Sequence, residues 1–252
     1  MRRGGLLGAF VVCVVSLVWA ASAGWAVTCN TRSHDGARYA ICEVDLTRDD
    51  LRLFLYDDTF RPYGHFSTLN DALFDQGKRL TFAMNGGMYH NDRAPVGHYV
   101  ENGTELMRVI PTPGPGNFGL LPNGIFCIQD GRARVQETLA FVRDDPDCRF
   151  ATQSGPMLVI DGALHPRFLP NSTSRHIRNG VGVSDDGTRA YFAISSDVVT
   201  FHEFGRLFRD ALAVDNALFL DGRVSRLYAP QIGRSDFGRW MGPILGVVAP
   251  FH

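Results

Sequence analysis

Two apolar runs in this sequence each break off at a polar residue followed by glycine. The first, TFAMNGGMYHND (Thr81 to Asp92), delivers Asn85, Gly86 and Gly87 and then His90. The second, NALFLDGRVSRLY (Asn216 to Tyr228), delivers Asp221, Gly222, Arg223 and Ser225. Glycines after a strand let backbone N–H groups turn toward one point, and a concave set of such donors holds an anionic oxygen. The Asn85 amide both donates and accepts, which suits sugar hydroxyls. Asp221 closes a fully apolar run, a position that presents a carboxylate for chemistry. Asn-Gly and Asp-Gly are also common hairpin turns, so by spacing alone each site reads as a turn as readily as a pocket wall.

An anion site in this chain is built from arginine, because 24 of the 25 basic residues are Arg and only Lys78 is Lys. Arg175 and Arg178 stand three apart in SRHIRNG, and guanidinium forks match phosphate oxygens bidentately. On one turn of helix the two share a face; on an extended loop they are solvated. Ser154 and Gly155 in TQSGPM read as a turn at the pocket wall leading into a strand, since the G-x-S-x-G elbow of a serine nucleophile is absent. His90 reads as a pocket-lining residue or proton carrier. With His98 it makes no H-E-x-x-H or other recognised ligand spacing, so no metal and no cofactor are expected.

The elements that carry these residues follow a short leader. Residues 1–26 read as a signal peptide: Arg2 and Arg3, an apolar run from Leu6 to Ala20, then Ala21-Ser22-Ala23. The expected location is periplasmic or secreted, with no stable membrane insertion after cleavage. Loss of Arg2 and Arg3 leaves 23 basic against 26 acidic residues, a net charge of −3, which disfavours nucleic acid as a partner. Four cysteines remain beyond Cys13, and in an exported chain an even count favours two disulfides. Spacing suggests Cys29 with Cys42 and Cys127 with Cys148, although three connectivities are possible.

Residues 27–252 contain no charge block, Ser/Gly tether or repeat, and read as one domain. Nine short apolar runs read as strands: Tyr39 to Val44, Leu51 to Leu55, Leu80 to Met84, Ile125 to Ile128, Met157 to Ile160, Val181 to Val183, Ala190 to Ile194, Ala217 to Leu220 and Ile244 to Val248. Two stretches read as amphipathic helices, one with Leu69, Leu73 and Phe74 on a face, the other with Phe204, Leu207, Phe208 and Leu212. This pattern predicts an α+β fold, a single domain with a mixed multi-stranded sheet core and few helices. The Leu80 and Ala217 strands are expected in one sheet system, ending on the same side.

Four segments in order, AMNGGMY, QSGPMLVIDG, SRHIRNGVGVSDDG and NALFLDGRVS, resemble the blocks of the phosphodiester glycosidase family. The likeness covers most of Leu80 to Val248, and His90, Pro95-Val96-Gly97 and Gly116-Asn117-Phe118 place it near an exported bacterial branch. It implies an exported hydrolase that cleaves the glycosidic bond of sugar-1-phosphodiesters in glycans or cell-surface polymers, a carbohydrate or sugar phosphate being the partner. Asp221, Asn85 and His90 are the implied catalytic residues. Gly86, Gly87, Asn117, Ser154, Gly155, Arg175, Arg178, Gly222, Arg223 and Ser225 are the implied substrate contacts. The family's last block runs Asp-Gly-Gly-Gly-Ser; here it is Asp221-Gly222-Arg223-Val224-Ser225, which puts Arg223 forward as an anion contact. Two further readings are a non-catalytic exported glycan-binding protein and a metal-dependent phosphodiesterase.

Overall fold

The computed structural model describes residues 27–221 and 224–251. The expected signal peptide, Gly222 and Arg223 therefore lie outside the described residues. The rest folds into seventeen strands in three sheets with three short α-helices among the described residues. Every adjacent pair of strands runs antiparallel.

The largest sheet has seven strands in the order Thr28–His34, Ala37–Asp45, Arg189–Ser195, Asn179–Val183, Asn216–Asp221, Met157–Ile160 and Ala163–Leu164. A five-stranded sheet holds Lys78–Asn85 between Leu227–Ala229 and Ile244–Pro250, with Arg234–Ser235 and Asp50–Phe54 at its edges. A second five-stranded sheet orders Thr104–Met107, Tyr99–Glu101, Phe150–Ser154, Gly124–Gln129 and Arg132–Glu137. One aromatic from each sheet meets at the centre: the ring of Phe192 lies 4.9 Å from Phe82 and 5.9 Å from Phe126. A single core running through all three sheets contains these rings, each contributing roughly 1.5–3 kcal/mol by burial.

All nine apolar runs form strands. The strand Asn216–Asp221 is apolar from Ala217 to Leu220 because both of its faces are covered. Ala217 and Phe219 pack under the helix Phe201–Arg206 and its π-helical continuation Leu207–Ala211, while Leu218 and Leu220 point into the three-sheet core. The neighbouring Gly182 lets that helix come close, since a Cβ there would sit 2.9 Å from Phe208 Cδ1.

Three expectations change. The Asn85 strand and the Asp221 strand belong to different sheets, because each finds its hydrogen-bonding partners far away in sequence. Phe74 is exposed and packs edge-on to Phe251 at 4.7 Å, so Phe66, Leu69 and Leu73 make the buried face of the helix Phe66–Phe74. A third helix, Thr138–Asp144, forms where no long apolar stripe announces it; Glu137 caps it by accepting the Ala140 N–H at 2.9 Å. Both local disulfide pairings form, Cys29–Cys42 across a hairpin and Cys127–Cys148. Among the described residues no helix is long and apolar enough to cross a membrane.

Candidate active site

After Asp221 the chain leaves the seven-stranded sheet and re-enters the architecture at Leu227, which pairs with Met84 in the five-stranded sheet. The crossing brings the two strand ends together. Asn179, the first residue of its strand, stands opposite Asp221, and the register slips between Asn179 and Gly180. Such a bulge places an extra residue on one strand and re-aims the side chains at its end.

Asn179 ties the two ends side chain to side chain. Its Oδ1 accepts the Asp221 N–H at 3.0 Å, and its Nδ2 donates to Asn85 Oδ1. Asn85 Oδ1 also accepts the Arg226 N–H at 2.9 Å. Two donors on one oxygen fix the orientation of the Asn85 amide and leave Nδ2, enclosed, with no acceptor among the described residues. Asn85, Asn179, Asp221 and Arg226 are all buried.

The third sheet clamps both ends. On the strand Phe150–Ser154, Thr152 Oγ1 donates to Gly86 O at 2.7 Å and Ser154 Oγ donates to Leu220 O at 2.7 Å. Ser154 is thus buried and committed to the backbone of the Asp221 strand. Gly87 follows with φ +143°, where a Cβ would lie 2.6 Å from Thr152 Oγ1, so the turn after Asn85 requires glycine. Gly155 continues the same wall against Asn123. Ser225 Oγ donates to Asp221 O at 2.9 Å, closing the loop from the other side.

The arginines divide. Arg175 pairs with Glu203 Oε1 at 2.5 Å and donates to Val198 O at 3.1 Å, buttressing the capping box that Glu203 and Thr200 form at the start of their helix. Arg178 is fully buried, neither on a helix nor solvated. Its Nε donates to Val199 O at 2.9 Å, a terminal nitrogen donates to Ser174 O, and the guanidinium lies 3.6 Å over the Phe201 ring. Burial pulls its pKa down to about 10.

Arg226 escapes a reading of the sequence, which shows only an Arg between Ser225 and the apolar Leu227. It is 7 % exposed, and its guanidinium forms no hydrogen bond or ion pair among the described residues. Burial lowers its pKa, against the pull of Tyr89 and Asp236. Tyr89 lines the same space: burial and then the Asp221 charge raise its pKa, and its hydroxyl donates to Trp240 O at 3.3 Å. Asn179 and Tyr89 sit inside the ordered segments, yet neither spacing nor type marks them out.

His90 and Asn117 are exposed on loops. His90 donates its backbone N–H to Ala94 O at 2.8 Å, and Asn117 O accepts the Leu120 N–H at 3.2 Å. Among the described residues no three His, Cys, Asp or Glu side chains gather into a ligand set. A surface depression of about 250 Å³ lined by Val183, Ser184 and Asn216 lies at the opposite ends of the Asn179 and Asp221 strands, away from these groups.

Residues 78–246 match the phosphodiester glycosidase family model. The uncharacterized protein YigE of Escherichia coli (strain K12) is 37% identical over 166 residues, 65% of this chain and 64% of that protein, so the match spans less than two thirds of that relative's length. A hypothetical protein from Synechocystis has a similar structure, with TM-score 0.58 and 13% identity over 89% of this chain and 62% of that one. So has the zebrafish N-acetylglucosamine-1-phosphodiester alpha-N-acetylglucosaminidase catalytic domain auto-inhibited by its pro-peptide, with TM-score 0.57 and 13% identity over 88% of this chain and 81% of that chain.

Proposed function

Because the chain belongs to the phosphodiester glycosidase family, we propose that it is an exported hydrolase that cleaves the bond between the anomeric carbon of a sugar and a phosphodiester oxygen. The observation that carries this reading is Arg226, a residue more than nine-tenths buried whose guanidinium makes no ion pair among the described residues and whose backbone N–H is held by the Asn85 that Asn179 links to Asp221. A buried cation left unpaired is costly, and an anion in the site offsets that cost.

The chemistry follows from the leaving group. Ordinary glycoside hydrolysis needs an acid to protonate the departing oxygen and a second carboxylate as base or nucleophile. A phosphomonoester departs as a stable anion, so charge neutralisation replaces much of the proton donation. Asp221, as nucleophile or as base toward water, acts at the anomeric carbon. The C–O bond breaks with its electron pair going to the phosphate oxygen, and Arg226 neutralises the charge that develops there. The enclosed Asn85 Nδ2 supplies a donor toward the substrate, and the proton lost by water stays on Asp221 until solvent takes it. Export is supported by the apolar leader and the two disulfides.

The test is a panel of sugar-1-phosphodiesters incubated with purified protein, with and without a chelator. Free sugar plus phosphomonoester, insensitive to chelator, is expected. Binding without turnover across the panel points instead to a glycan-binding protein. Turnover abolished by chelator, with the sugar–phosphate bond intact, points to a metal-dependent phosphodiesterase.

A further inference from the structure

An aromatic shelf adjoins the arginine. Phe237 is 87 % exposed, and it stacks on His65 with ring centroids 5.6 Å apart and planes 9° from parallel. Trp240 meets the same His65 edge-on at 6.2 Å and is itself 51 % exposed. The loop is anchored: Met241 N–H donates to Gly64 O at 2.9 Å, and Asp236 accepts the Leu227 N–H at 2.9 Å while pairing with Arg234. It is also joined to the site. A Cβ on Gly238 would lie 2.5 Å from a terminal nitrogen of Arg226, and the Tyr89 hydroxyl reaches Trp240 O. The Arg226 charge, after burial, also helps to lower the pKa of His65. The buried Asp221 and Arg226 are thus linked through Tyr89 and His65 to the exposed rings.

We propose that Phe237 and Trp240 form a stacking subsite for a second sugar ring, the one on the alcohol side of the phosphodiester held at Arg226. This rests on the proposed function: with the phosphate at Arg226 and the scissile anomeric carbon at Asp221, the far substituent falls over the shelf. The apolar face of a pyranose matches an exposed aromatic ring, while its hydroxyls stay in water, so an isolated exposed pair of rings is enough. Rings kept in place by a neighbouring imidazole need no ordering when the sugar arrives.

Trp240 provides the readout, because the other two tryptophans, Trp19 and Trp25, lie in the leader. Binding is followed by tryptophan fluorescence in an Asp221→Asn background, using matched methyl and glycosyl esters of the 1-phosphates of glucose, N-acetylglucosamine, galactose and mannose. For the sugar that is bound, the glycosyl ester should bind about 10-fold more tightly than the methyl ester. The fluorescence change should vanish in Trp240→Phe, and Phe237→Ala, followed by calorimetry, should erase the preference while leaving methyl ester affinity unchanged. Equal affinity for the two esters, or a preference that survives Phe237→Ala, overturns the subsite and leaves the proposed function standing. No binding of either ester of any sugar overturns both.

Discussion

Asn85 and Asp221 end strands of two different sheets, and one side chain, Asn179, holds the amide of the first and the backbone N–H of the second. Asn179→Ala removes both bonds inside a buried site. The expected cost is about 1–3 kcal/mol of stability by urea unfolding, because the Asp221 N–H is left without its acceptor. Turnover should fall more steeply than stability alone explains, since the two strand ends lose their common tie. Full activity at a temperature where the variant is folded would refute the coupling.

Asp221→Asn keeps the shape of the site and its backbone bond to Asn179 but removes the charge. The rate constant kcat should drop by several orders of magnitude while substrate still binds. Equilibrium binding by calorimetry beside turnover assays separates the two. A loss confined to binding would assign Asp221 to recognition.

Arg226 makes opposite predictions for activity and for stability. Arg226→Lys loses the planar fork and should cost about 1–3 kcal/mol in kcat/KM, seen with phosphodiesters and not with simple aryl glycosides. Arg226→Met removes a buried charge that makes no ion pair among the described residues, so thermal unfolding should occur at the same temperature or higher. A large destabilisation by Met would mean that the guanidinium serves the fold.

Stability should decline on mild acidification. His98 and His165 are buried, and burial holds both below the usual 6.5, against the opposing pull of Glu105 and Met107 O on His98 and of Leu121 on His165. Between the folded-state pKa and 6.5 the unfolded chain binds more protons, so stability is whole above 6.5 and is lost as pH falls through that window. Urea midpoints at pH 7.5 and 5 should differ less in a His98→Gln, His165→Gln variant than in the parent; an unchanged difference would exclude these two groups.

The disulfides Cys29–Cys42 and Cys127–Cys148 should leave no reactive thiol beyond Cys13 in unreduced, unfolded protein. Reduction should destabilise the fold, by roughly 2–4 kcal/mol for each bond. Four additional titratable thiols would contradict the pairing.

The sequence by itself determined the local features. Nine apolar runs became strands because burial on both faces, or on one, needs such runs wherever they lie in the chain. The two disulfide partners are near in sequence and meet within a hairpin or close to one. Four ordered segments marked the family, and Asn85 and Asp221 stood out as polar residues that end buried runs. Strands such as Thr28–His34 and Arg132–Glu137, which carry polar or alternating residues, gave no such signal. The tertiary structure alone decided what each polar side chain does. Arg178 and Arg226 are both buried arginines beside a strand end, yet the guanidinium of the first meets carbonyls and the Phe201 ring and that of the second makes no hydrogen bond or ion pair among the described residues. Those neighbours come from segments up to 141 residues away, as with Arg226 and Asn85. The energy of burying a charge is set by the groups around it in space, and no local pattern in the chain records them.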